Sequence, residues 1–201
     1  MSKGLSVVVG GVALVIVGAA LMSAMPRTSN QGYAPTQPIP FSHKLHAGDN
    51  RIPCQYCHSD VEKSRHASIP STAVCMNCHK VVKTDSPLIK QVAAAWAEHR
   101  AIEWVRIHEL PDFVYFPHKR HVAVGVSCQT CHGEIQTMDK VYQFGALTMG
   151  WCMECHRGRS TPSNVLANLQ ARTEANPHAG EHGEGWVEGQ VAPTQCTTCH
   201  Y

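Results

Sequence analysis

Five times in 201 residues the chain repeats one short pattern: two cysteines separated by two residues, with a histidine directly after the second. The units are Cys54/Cys57/His58, Cys75/Cys78/His79, Cys128/Cys131/His132, Cys152/Cys155/His156 and Cys196/Cys199/His200, and together they use all ten cysteines. Histidine fills 14 of 201 positions, so five such placements by chance have a probability of roughly one in a million. Any fold for this chain is built around those units.

The spacing has a chemical reason. Two thiols three positions apart can each form a thioether to one edge of a porphyrin, and the next imidazole then falls beneath the iron as its proximal ligand. This is the attachment pattern of c-type haem, and five units imply five covalent haems. Zinc ribbons also use Cys-x-x-Cys pairs, but zinc does not need a histidine at that position, and neither do redox-active disulfides. Aromatic residues make up only 6% of the chain, sparse for a protein core, and porphyrins would supply the missing apolar surface. The formal charge of +2 omits the cofactors. A ferric haem with two imidazoles and two ionised propionates carries about −1, which brings five-haem protein to about −3. No basic surplus remains for nucleic acid. The expected class is a mostly irregular and α multihaem cytochrome c with a haem-packed core and one N-terminal transmembrane helix.

Residues 1–25 form the expected anchor. Leu5 to Met25 are 21 uncharged, mostly apolar residues, which as a helix rise about 31 Å and match the hydrocarbon core of a bilayer. A removed signal peptide is the competing interpretation, given Lys3 and the small residues Ser23 and Ala24. Gly4, Gly11 and Gly18 share one helix face and would let another helix approach. The positive-inside signal is weak, Lys3 against Arg27. Attachment of c-type haem follows export, so the expected location is the bacterial cytoplasmic membrane, single-pass, with the haem domain in the periplasm. Pro26, Pro35, Pro38 and Pro40 make residues 26–40 an extended linker.

An internal repeat follows. "FSHKLH" from Phe41 precedes Cys54 and Cys75, and "FPHKRH" from Phe116 precedes Cys128 and Cys152, with offsets of 75, 74 and 77 residues. Residues 41–83 and 116–159 are therefore two dihaem modules. The connector 84–115 should hold a helix from about 87 to 100, started by Asp85 or Ser86 before Pro87, with Leu88, Val92, Ala95, Trp96 and His99 on one face. Residues 160–201 should hold a short helix from Ser163 to Arg172 and the fifth unit.

Five irons need sixth ligands, and nine histidines lie outside the units. His43 and His46, with their repeats His118 and His121, are the strongest candidates, and His66 is another. The second module has no histidine between its units, and Met138 occupies the nearest matching place. Its thioether would bind iron and raise the potential; Met149 comes second. His99 suits packing or a propionate. His108, His178 and His182 are held in reserve.

The Phe-x-His-x-x-His pairs resemble those of the class III (c3/c7-like) multihaem cytochromes. That resemblance implies that His43 and His118 ligate the haems attached just downstream, while His46 and His121 reach neighbouring haems. The succession "FSHKLH", "CQYCHSDVEKSRHASIP", "LPDFVYFPHKRH", "CQTCHGEI", "MGWCMECHR" and "CTTCH" resembles the pentahaem cytochrome c (A) subunits of bacterial alternative complex III. The resemblance implies an electron-relay subunit in a quinol-oxidising respiratory complex, with an iron–sulfur subunit, polytopic quinol-binding subunits and a monohaem cytochrome c as partners. Electrons would leave toward that cytochrome or a terminal oxidase. Two rivals stand beside it. One is an autonomous quinol dehydrogenase anchored by one helix, of a kind usually tetrahaem. The other is a pentahaem reductase, whose Cys-x-x-Cys-Lys unit is absent here.

Overall fold

A computed structural model describes residues 3–24, 29–175 and 191–200. Nine α-helices lie in this part: α1 Lys3–Ala24, α2 Cys54–Cys57, α3 Thr72–His79, α4 Pro87–Ala97, α5 His118–Ala123, α6 Cys128–His132, α7 Met149–His156, α8 Ser163–Ala175 and α9 Cys196–Cys199. A π-helical turn Lys44–Asp49 and a 3-10 turn Ile135–Thr137 complete the regular structure. Among the described residues the only β pairing is an isolated antiparallel bridge between Val114 and His200. The mostly helical and irregular architecture is the one expected.

The protein core is small. Among the described residues the buried apolar side chains are Val61, Met76, Val92, Ala95, Met138 and Val165. That is far too little for a chain of this length to offset its conformational entropy, so the fold depends on what the attachment units hold.

Helix α4 shows how local rules set one boundary. Ser86 is its N-cap and Pro87 its first residue, where the missing N–H costs nothing. Val92 and Ala95 are buried on the side that packs on α3, while Leu88 and Trp96 stay more than a third exposed. The helix stops at Ala97, short of the expected 100. His99 turns left-handed with φ 52°, its N–H bonds Trp96 O at 3.1 Å, and the Arg100 N–H bonds Ala95 O at 2.8 Å. This is a Schellman cap. It removes His99 from the apolar face and leaves it exposed.

Helix α1 is 22 residues long. Its described side chains from Val8 to Met22 are nearly all exposed, and a Cβ added at Gly4, Gly11 or Gly18 would meet nothing within 4 Å. Among the described residues no helix is long and apolar enough to cross a membrane. The expected membrane-spanning helix therefore has no support from the structure. The described side chains of α1 run without a break only over residues 8–22, and Met25, the end of the expected span, lies outside the described residues.

The described part of the expected linker is fastened to the rest of the chain. Gly32 N–H donates to Gln143 O at 2.7 Å and Gln143 N–H returns to Tyr33 O at 3.0 Å. Gln37 makes a two-way bond with the backbone of Val105, both contacts 2.8 Å. Gln143 is 1% exposed, and its amide nitrogen donates to Gly145 O at 3.1 Å. The strand of chain before the first module is thus clamped to the second.

Candidate functional site

Each attachment unit sits on a turn of helix, which explains the spacing. Positions i and i+3 neighbour one another on a helix, which brings the two thiols of each unit together; in the second, third and fourth units the histidine ends the same helix, whereas His58 and His200 stand just past theirs. All ten cysteines are free. Among the described residues no three His, Cys, Asp or Glu side chains converge on one point.

The ten thiols are not equally covered. Cys54, Cys78 and Cys196 are exposed, whereas Cys57, Cys75, Cys128, Cys131, Cys152, Cys155 and Cys199 are half-buried. The reason is local. Cys54 and Cys196 open the four-residue helices α2 and α9, and Cys78 stands in the last turn of α3, on the side opposite its buried residue Met76. Within the second unit the contrast is sharp: burial raises the Cys75 thiol above its ordinary value, while Cys78 beside it faces outward.

The five units form a row. The second adjoins the first, with Asn77 Nδ2 donating to Tyr56 Oη at 2.9 Å; burial raises the Cys57 thiol, with Cys75 of the second unit as the next cause and Cys78 a smaller one. The first adjoins the third, where burial raises the Cys128 thiol with Cys54 as the next cause. The third adjoins the fourth: burial pushes the Cys131 thiol up to about 11, helped by Cys155 and Cys152 beside it. The fourth adjoins the fifth. Burial raises Cys152, with Cys199 as the next cause, and Val191 N–H bonds His156 O at 3.1 Å just ahead of the fifth unit.

The histidines face one another across this row. Ring centres of His46 and His79 are 6.2 Å apart, those of His118 and His132 6.4 Å, and those of His121 and His156 6.2 Å. Two metal–imidazole bonds of about 2.0 Å, with about 1.1 Å from each nitrogen to its ring centre, give about 6.2 Å. The three pairs have the separation that one iron between two imidazoles demands. His43 lies beside His58, since burial and then the charge of His58 hold it at about 4.

The protonation pattern also fits. His58 Nδ1 bonds Ser68 O at 2.6 Å, His79 bonds Val82 O at 2.9 Å and His156 bonds Pro193 O at 2.7 Å. On the opposing side His46 bonds Ser42 O at 2.9 Å, His118 bonds Arg65 O at 2.8 Å and His121 bonds Pro117 O at 3.0 Å. A carbonyl only accepts, so each Nδ1 carries the hydrogen and each Nε2 keeps its lone pair. Burial holds His43, His108, His121 and His132 neutral, the last at about 3. His43 Nδ1 and Arg65 Nε are buried without partners, and a haem propionate is a natural acceptor for the latter.

The two Phe-x-His-x-x-His segments repeat in space. Phe41 meets His43 at 4.9 Å and 86° and His46 at 4.3 Å and 27°; Phe116 meets His118 at 4.8 Å and 84° and His121 at 4.5 Å and 33°. Each segment docks on the other module. Lys119 N–H bonds Ser64 O at 3.1 Å, and Lys44 N–H bonds Met138 O at 3.0 Å. Lys44 and Lys119 are equivalent in the repeat, so the counterpart of Met138 is Ser64, two residues before His66. Met138 and Ser64 stand at the same distance from their units, ten residues after Cys128 and Cys54, so the added residues of the second module fall after this docking contact, and His66 lies two residues beyond the position equivalent to Met138. Met138 is 8% exposed, where the 3-10 turn packs on the π turn, an environment of core packing. Met149 is exposed.

His66 is exposed and is carried toward the fifth unit: Arg65 stacks 4.5 Å over the Tyr115 ring, and Tyr115 N–H bonds Cys199 O at 2.7 Å. Phe113 packs 5.6 Å from His200. His178 and His182 lie outside the described residues. His108, only a reserve candidate in sequence, contacts His132 directly, with 3.2 Å between His108 Nε2 and His132 Nδ1. No local motif marks it, because 24 residues separate the two.

Comparison with known proteins agrees with this site. The model of cytochrome c7 and related cytochromes c matches residues 39–96 and 114–201. The multihaem cytochrome c subunit of a menaquinone reductase from Nitratidesulfovibrio vulgaris is 30% identical over 141 residues, covering 60% of this chain and 67% of the relative. Both halves of the repeat and the fifth unit fall inside the matched family segments, so the chain belongs to the cytochrome c7 and related cytochrome c family of multihaem electron-transfer proteins.

Proposed function

We propose that this chain is the non-catalytic electron-relay subunit of a membrane complex that exchanges electrons with the quinone pool, and that it carries five covalent c-type haems. The observation that carries the proposal is the row of attachment units in the order second, first, third, fourth, fifth, with imidazoles opposed at bis-ligand spacing. Haem bound there supplies one-electron carriage. The chain's own part is to hold imidazoles on both sides of each iron position, with burial keeping His43, His121 and His132 neutral, and to exclude water. His43 with His58, His46 with His79, His118 with His132 and His121 with His156 are the proposed axial pairs. For the fifth unit, His66 opposite His200 is supported by the Arg65–Tyr115–Cys199 contacts.

The order of the row puts the second and fifth units at its ends, where electrons would enter and leave. The motif succession supports the alternative complex III assignment, with electrons flowing from quinol to a periplasmic cytochrome c or oxidase, and an iron–sulfur subunit, polytopic quinol-binding subunits and a monohaem cytochrome c as partners. The run of apolar residues from Leu5 to Met25 in the sequence supports an anchor in the cytoplasmic membrane with the haem domain in the periplasm. The menaquinone reductase relative favours a second direction, in which electrons run toward the quinone.

Purification of the intact complex from membranes tests the proposal. Pyridine haemochrome and the denatured mass of this subunit should both give five haems; three or fewer overturn the five-haem relay. Quinol added to the complex should reduce the haems and then a soluble cytochrome c. If only the reverse reaction proceeds, the menaquinone-reducing direction stands. The isolated subunit should lack quinol turnover, and a rate on the order of 1 per second or faster would make it an autonomous dehydrogenase.

A further inference from the structure

We propose that His108 is a positioning residue for the third unit, accepting the Nδ1 hydrogen of His132 and thereby fixing the plane and raising the basicity of that proximal imidazole. The inference rests on His132 being an iron ligand, as proposed above.

His58, His79 and His156 each give their Nδ1 hydrogen to a backbone carbonyl. The third unit differs. Its Nδ1 faces a side chain, His108 Nε2, at 3.2 Å, with the two rings edge-on at 75° and 4.3 Å between centres. When Nε2 of His132 holds iron, its Nδ1 must carry the hydrogen, so His108 Nε2 must accept and His108 must hold its own hydrogen on Nδ1. An imidazole nitrogen is a more basic acceptor than an amide carbonyl. It draws His132 further toward imidazolate, which stabilises ferric iron and lowers the potential.

The geometry also locks a plane. The His132 ring lies 9° from that of His118, and the edge of His108 restrains rotation about the bond to iron. His108 is itself fixed from behind: the next residue's N–H, that of Glu109, reaches Gln143 Oε1 at 3.5 Å, and Gln143 is 1% exposed and tied to Gly145. The same glutamine clamps residues 32 and 33, so the acceptor is anchored to the most buried polar side chain described.

Three variants of the holoprotein test this. His108→Gln places an amide oxygen close to where Nε2 stands, His108→Asn stops short of His132, and His108→Leu fills the space with no acceptor. Haem content is measured first; five haems in wild type and variants isolate the inference from the haem assignment. H108L and H108N should raise one midpoint potential and shift one low-spin ferric resonance, leaving the rest in place, and H108Q should return both toward wild type. If H108L yields no holoprotein, H108N decides alone. Unchanged midpoints and spectrum in H108N overturn the proposal. A new high-spin, carbon monoxide-binding haem in either variant also overturns it, because His108 would then be an iron ligand itself.

Discussion

The imidazoles of His118 and His132 are nearly parallel, 9° apart with 6.4 Å between ring centres, whereas His46 and His79 are inclined by 60° and His121 and His156 by 42°. Ring planes set how axial π donation splits the iron d orbitals. Coplanar rings act on one orbital and give the widest rhombic splitting. Electron paramagnetic resonance of the oxidised protein should therefore show one resonance distinctly more rhombic than the others, and His118→Ala should remove that one. Survival of the rhombic signal in H118A would assign it to another pair.

His46 and His121 are the second histidines of their segments, and each opposes a unit further along the chain. His46→Ala and His121→Ala should each convert one haem to a high-spin form that binds carbon monoxide when reduced. Haem content should stay at five, since thioethers and not axial bonds retain the group. Variants that remain wholly low-spin would show that these rings are not sixth ligands.

Met138 separates packing from ligation. Leucine conserves volume and polarity at a buried position, so M138L should change stability by about 1 kcal/mol or less and leave every midpoint where it is. Loss of a sulfur-to-iron charge-transfer band, with a fall of one high potential, would instead make the thioether a ligand.

Gly48 lies where the first histidine segment docks on the second module. A Cβ there would run into the carbonyl of Gln136, which is backbone and cannot swing aside. Ser42 Oγ donates to Asp139 at 2.8 Å in the same junction. Gly48→Ala should cost about 1–3 kcal/mol, read by denaturant unfolding followed in the Soret band. Because the π turn carries His46, the His46–His79 haem should show the largest spectral change among the five.

Sequence alone determined the attachment units, the duplication and most of the candidate axial histidines. These are local facts: thiol and imidazole must sit within one helical turn, so their chemistry is written in five consecutive residues. Pro87 after Ser86 likewise announced α4. Tertiary structure decided what depends on pairs distant in the chain. Which histidine faces which unit, the order of the row, the clamp of Gln143 on residues 32 and 33, and the contact of His108 with His132 all arise where separate segments meet. The bonds from Lys44 N–H to Met138 O and from Lys119 N–H to Ser64 O fix through space how each histidine segment sits on the other module.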